Sequence, residues 1–170
     1  MRKAIGILMF LAAAVSAGEV QPPVNKTNWQ SHPAIVKIRR IVTVIDRAER
    51  AGRLVSAHCW KEEWDQERTI WRDSRGRALK YVKRICGEDS CWKYSQYYDN
   101  RGTLRFVLAE IGAIPDTHIE YRHYFDADGK RIWSQRRLLS GPGYPVGDDE
   151  WNAGRAALNP EQEFSRDCGK

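Results

Sequence analysis

Three short stretches of this chain repeat one another at nearly constant spacing. They are Trp71-Arg72-Asp73-Ser74-Arg75-Gly76, Tyr97-Tyr98-Asp99-Asn100-Arg101-Gly102 and Tyr124-Phe125-Asp126-Ala127-Asp128-Gly129. In each, an aromatic-containing run ends in D-x-x-G and a second β-rich run follows; the glycines lie 26 and then 27 residues apart. Aspartate at the first turn position accepts hydrogen bonds from backbone N–H groups two or three residues on. Glycine at the fourth tolerates the positive φ of a type I turn followed by a G1 bulge. Three tandem hairpins account for the spacing, and a chain built from them is held to a meandering antiparallel sheet.

The expected strands are residues 54–60, 68–72 with 78–86, 91–98 with 103–110, and 118–125 with 130–139. Placing Cys86 opposite Cys91 sets Ile85 beside Trp92 and Leu79 beside Tyr98 on one sheet face. A bulged turn over 99–103 then brings Leu104, Phe106 and Leu108 to that same face. The third hairpin does not align cleanly in phase with the second.

Ahead of the sheet, Ala34, Ile35, Ile38, Ile41, Val42, Ile45 and Ala48 recur at helical spacing on one face, opposite Arg39, Arg47 and Arg50. Ser31 is a capping residue, Pro33 suits the first turn, and Gly52 is a natural stop. The resulting fold class is α+β, an N-terminal amphipathic helix packed on a meandering antiparallel β-sheet of D-x-x-G hairpins. One sheet face takes the helix. The other, rich in Arg, Lys, Tyr and Gln, is expected to face solvent or a partner. After a loop over 140–147, Asp148 caps a second, short helix through Leu158, with Trp151, Arg155 and Leu158 at helical spacing and Asn159-Pro160 ending it. The tail to Cys168 is polar.

The N-terminus speaks to compartment. Arg2-Lys3 precedes an apolar run from Ala4 to Val15 and an A-x-A-like site at Val15-Ser16-Ala17, as in a secretory signal peptide. Domain organisation is therefore 1–17 signal peptide, 18–30 flexible lead-in, and 31–170 a single domain. The destination is periplasmic or secreted, with no membrane span expected. Removing Arg2 and Lys3 lowers the net charge from +6 to +4. That mild positive charge favours an anionic partner and falls short of the dense basic patch of a nucleic-acid binder.

Four cysteines remain, Cys59, Cys86, Cys91 and Cys168. In an oxidising compartment an even count reads as disulfides. Cys86 and Cys91 bracket a four-residue polar turn, which suits a cross-strand bridge, and Cys59 with Cys168 is the remaining pair. Zinc binding would require paired C-x-x-C spacing, which is missing.

The chain has no G-x-S-x-G and no H-E-x-x-H. His58 beside Cys59 is a sequence neighbour, and neighbouring strand residues point to opposite faces, so no nucleophilic dyad follows. His118, His123, Asp126 and Asp128 are the nearest approach to a metal set, but the histidines differ by five and face apart on a strand. The paired acids Glu62-Glu63 and Asp148-Asp149-Glu150 read as a solvated loop and a helix N-terminus. No catalytic activity, metal or cofactor is expected.

The seven tryptophans and seven tyrosines fit strands and cross-strand pairs; Trp64 and Tyr144, in loops, are the candidates for exposure. The aromatic-D-x-x-G-x-aromatic hairpins resemble the tyrosine-aspartate repeats of large bacterial surface and toxin proteins over about 70 residues. With too few copies for an encapsulating shell, the resemblance carries no function across.

Basic residues cluster at the hairpin turns: Arg72, Arg75 and Arg77 at the first, Arg101 and Arg105 at the second, Lys130, Arg131, Arg136 and Arg137 at the third. Tyr97, Tyr98, Tyr124 and Trp133 adjoin them. Alternate turns of a meander project from one sheet edge, so these residues form the expected binding surface. The function expected is a non-catalytic exported binding protein with an acidic protein partner, in its most concrete form a periplasmic inhibitor or immunity protein acting on an enzyme. The alternatives are a cell-envelope module binding glycan or another anionic polymer, and a small envelope hydrolase.

Overall fold

Seven strands follow one another across a single sheet in strict chain order, every neighbouring pair antiparallel. This computed structural model describes residues 22–62, 65–143 and 156–169. The elements are α1 (Pro33–Arg50), β1 (Val55–Lys61), β2 (Gln66–Arg72), β3 (Ala78–Cys86), β4 (Ser90–Tyr98), β5 (Leu104–Ala113), β6 (Thr117–Phe125), β7 (Arg131–Ser140) and α2 (Pro160–Cys168). The class is α+β. The signal segment 1–17, Glu63, Trp64, Tyr144, the acidic triplet 148–150 and most of the helix expected over 148–158 lie outside the described residues.

Each face of the sheet carries its own core. On one, Ile35, Ile38 and Ile45 of α1 pack against Tyr97, Phe106 and Tyr124. On the other, Ile70, Tyr81, Tyr94, Tyr98, Val107, Ile111, Ile119 and Tyr121 form the larger cluster, which Ala156, Ala157 and Phe164 join. The second face is therefore a core, not the open surface expected from its polar letters. Two of its polar residues, Gln96 and Lys83, are buried with partners from the C-terminal segment. Gln96 is fully buried, and its Oε1 accepts from Ala157 N at 2.6 Å. The Tyr98 hydroxyl donates to Ala157 O at 2.7 Å, and the Lys83 ammonium donates to Glu163 at 3.0 Å.

The helix α2 is held to β2 and β3 by charge and to β1 by a disulfide. Arg72 makes a two-pronged contact with Glu161 (2.6–3.1 Å), Arg68 meets Asp167 at 3.3 Å, and Cys168 is bonded to Cys59. The second disulfide joins Cys86 to Cys91 across the β3–β4 pair. Asn159-Pro160 opens α2 and does not end a preceding helix. The Asn159 side chain accepts from Gln162 N at 3.1 Å, and Pro160 takes the first-turn position where a missing N–H has no cost.

Bulges correct the expected register. The β3–β4 pairs Cys86–Cys91 and Ile85–Trp92 hold. Near the turns, however, the pairing slips: Arg72 faces Ala78 while Trp71 faces Lys80, and Tyr98 faces Leu104 while Tyr97 faces Phe106. Leu79 and Arg105 are the extra residues. Each shifts the phase by one, so Leu104 joins Tyr98 in the larger core while Phe106 and Leu108 turn toward α1, and Leu79 packs with α1 as well. The third hairpin slips in the same place, with Phe125 opposite Arg131 and Tyr124 opposite Trp133.

The cap of α1 is His32, one residue after Ser31, with Nδ1 accepting from Ala34 N at 3.2 Å. The described part of the lead-in, from residue 22, is hydrogen-bonded locally. The Asn25 side chain accepts from Thr27 N and Asn28 N, and His32 Nε2 pairs with Pro22 O at 2.8 Å. Trp29 stacks on Trp133 at 6.0 Å.

Candidate functional site: the basic turn edge and the groove beside α1

Three of the connecting turns lie at one end of the sheet, and their geometry repeats. Asp73 Oδ1 accepts from Arg75 N and Arg77 N, both at 3.0 Å. Asp99 Oδ1 accepts from Arg101 N at 2.9 Å and Thr103 N at 3.1 Å. Asp126 Oδ1 accepts from Asp128 N and Lys130 N, both at 2.9 Å. Gly76, Gly102 and Gly129 have φ of 78°, 79° and 79°, a left-handed conformation that a side chain would strain.

Neighbouring turns are tied together. Arg77 Nη1 donates to Asn100 O at 3.0 Å, and Arg101 Nη2 donates to Ala127 O at 3.1 Å. Each arginine reaches the residue after the aspartate of the next turn, so the three tips form one continuous edge. On it, Arg75, Arg77, Arg101, Lys130 and Arg131 are exposed.

The other residues expected on this surface are engaged elsewhere. Tyr97, Tyr98 and Tyr124 are buried in the two cores, because the strands just before the turns lie where both helices and the 156–157 segment cover the sheet. Arg105 is also buried, donating to Asp99 Oδ2 at 3.1 Å and Phe125 O at 3.2 Å. Arg72 is bound to Glu161 and Trp133 is stacked under Trp29. Arg136 and Arg137 lie farther along β7, beside Tyr121 and Glu120.

A groove of about 740 Å³ runs between α1 and the second turn. Ile41, Val44, Ile45 and Leu79 provide its apolar lining; Lys37 and Arg40 stand on the helix side and Arg101 on the turn side. None of the helix residues was marked as a site by sequence reasoning. The signal was present: Lys37, Arg40, Ile41 and Val44 fall within about 100° of helical arc, and Val44 stands outside the buried stripe. It is 59% exposed.

Electrostatics separates the groove from the polar contacts behind it. Burial works against the Asp99 carboxylate, but the N–H groups of Arg101 and Thr103 and the Arg105 guanidinium outweigh it and hold its pKa below the ordinary value. Burial likewise opposes the Lys80 ammonium, yet the hydrogen bonds it donates to Glu49 and Asp46 of α1 raise its pKa. Burial pushes the Tyr97 hydroxyl up to about 12. These groups are structural anchors with saturated partners.

His118 and His123 lie on opposite faces of β6, the first exposed and the second buried. Among the described residues no group of three or more His, Cys, Asp or Glu is arranged to hold a metal ion, and no helix is long and apolar enough to cross a membrane. No protein-family model, curated protein or solved structure matches the chain.

Proposed function

We propose that this chain is an exported, non-catalytic binding protein that meets an acidic macromolecular partner, in its most concrete form an enzyme it inhibits, with its turn edge. The observation that supports this is the alignment of three cross-tied turns bearing five exposed cations beside an apolar groove. Rigid turns present charge without a large ordering cost, which favours steered association. Two disulfides are compatible with a periplasmic or secreted destination. An anionic envelope polymer is the second reading, favoured by the absence of exposed aromatic rings among the described residues of the turns themselves, since backbone charge alone would then be recognised.

The test is a folded variant carrying Arg75→Glu, Arg101→Glu and Arg131→Glu, compared with the parent for binding of fluorescent poly-glutamate. The parent should associate rapidly at low salt. The variant should associate more slowly, with a deficit that shrinks as salt rises. An unchanged on-rate at low salt refutes the turn edge as the binding surface.

A further inference from the structure

The groove beside α1 combines two properties. Its floor is aliphatic and partly open to water, with Val44 59% exposed. Its walls carry positive charge on both sides, Lys37 and Arg40 from the helix and Arg101 from the turn. Lys37 and Arg40 form no ion pair among the described residues; the acid lining the groove, Asp99, is taken up by Arg105 and two backbone N–H groups, with the exposed Arg101 guanidinium at 3.8 Å.

The groove on the opposite flank of α1 differs. It is about 330 Å³, and its cations are engaged: Arg39 lies over the Trp29 ring at 4.9 Å and Arg122 pairs with Glu120 at 2.8 Å. Of these two grooves, the first has cations, Lys37 and Arg40, that meet neither an acid nor a ring among the described residues beside an apolar floor.

We infer that this groove docks an acidic amphipathic helix of a partner protein, its apolar stripe on Ile41, Val44 and Leu79 and its flanking carboxylates against Lys37, Arg40 and Arg101. The choice of occupant follows from where the charges stand. A single-chain amphiphile has one anionic head and needs cations at one end of an apolar channel. Here cations come both from the helix, Lys37 and Arg40, and from the turn, Arg101, that border the apolar residues, matching a helix whose apolar stripe has acids on both borders. The inference rests on the proposed function, since both require an acidic partner; it shares Arg101 with the turn edge and adds Lys37, Arg40 and the apolar floor.

The probe is a labelled synthetic helix with Leu at i, i+3, i+4 and i+7 and Glu on both borders. A scrambled peptide of the same composition, poly-glutamate and dodecyl phosphate serve as comparisons. Fluorescence anisotropy should show the amphipathic peptide binding at least about tenfold more tightly than the scrambled one. Lys37→Glu with Arg40→Glu should weaken it by about tenfold or more at low salt, and a peptide with Lys replacing Glu should recover binding to that variant. Val44→Asp, at an exposed position that leaves the core intact, should weaken the parent peptide in a way that salt does not restore.

Equal binding of the scrambled peptide overturns the inference. So does tight binding of dodecyl phosphate with none of the peptide, or concentration-dependent dimerisation abolished by Val44→Asp. Poly-glutamate binding that depends on Arg75 and Arg131, with no preference for the amphipathic peptide over its scrambled form, would keep the turn edge and sink the groove; amphipathic-peptide binding that depends on Lys37 and Val44, with poly-glutamate association unchanged by reversing Arg75 and Arg131, would sink the edge alone.

Discussion

The three turns share one hydrogen-bond pattern in three different environments, which makes them an internal control for what a buried charge costs. Asp126 lies at a tip where water can replace the lost carboxylate, so changing it to Ala removes two N–H···O bonds whose net value is about 1 kcal/mol. Asp73 also pairs with the half-exposed Arg77 guanidinium, which adds a modest, solvent-screened contribution. Asp99 accepts the same two bonds but also faces Arg105, and both side chains are less than 10% exposed. Asp99→Ala leaves that guanidinium with Phe125 O and no carboxylate. Removing one partner of a buried pair costs roughly 3–5 kcal/mol; the surviving carbonyl contact argues for the lower end, about 3 kcal/mol. With a urea slope of about 2 kcal/mol/M for a domain of this size, the midpoint falls by about 1.5 M, against about 0.5 M at Asp126 and about 0.5–1 M at Asp73. Urea unfolding of the oxidised protein, followed by tryptophan fluorescence, measures all three. The double variant Asp99→Ala/Arg105→Met should recover part of the loss, since it removes the orphaned charge. Because the Asp99 pKa is depressed in the fold, its advantage over Asn should be full above the unfolded value of about 3.9 and vanish as pH falls through the folded one. Equal destabilisation at Asp99 and Asp126 would refute the reasoning.

The disulfides should differ in weight. Cys59–Cys168 spans 109 residues and Cys86–Cys91 only 5, so by loop entropy Ser substitution of the first pair should cost about 5 kcal/mol and of the second about 2 kcal/mol, read from urea midpoints without reductant. His123 is buried beside Ser134, and burial first, then Arg131, pushes its pKa down to about 3. The unfolded chain binds its proton near pH 6.5, so the fold should lose stability as pH drops from there toward about 3. His123→Gln should flatten that slope of melting temperature against pH; an unaltered slope would show that His123 is protonated in the fold.

What could be read from the residues alone was what depends on near neighbours. The α+β class and the antiparallel sheet rest on the strand runs, and the pairing of Cys86 with Cys91 on a short turn left Cys59 for Cys168; all of these stand. The errors arose where one residue changes the phase. Leu79 and Arg105 as bulges reverse every facing assignment beyond them, and nothing in a β-branched or aromatic run marks which residue is extra. Tyr97, Tyr98 and Tyr124 were misplaced on the surface because the cover for the second face comes from Ala157 and α2, far along the chain. Asn159-Pro160 serves equally as a stop or a start, and only the bond to Gln162 N decides. The groove escaped notice because it pairs a helix with a turn some sixty residues later.

Because β1 through β7 pair strictly with their successors, the sheet can zip from any hairpin with little loop to close at each step. The exception is α2, which returns past four strands to land on β2 and β3. Until it arrives, Arg68, Arg72 and Lys83 have no carboxylates from it and Cys59 no partner. The β1–β3 end should therefore be the last to acquire protection from amide exchange, and the first to surrender it when the bond to Cys168 is cut. The strands under α1, covered by a helix that precedes them, form a unit able to hold its amides through that opening.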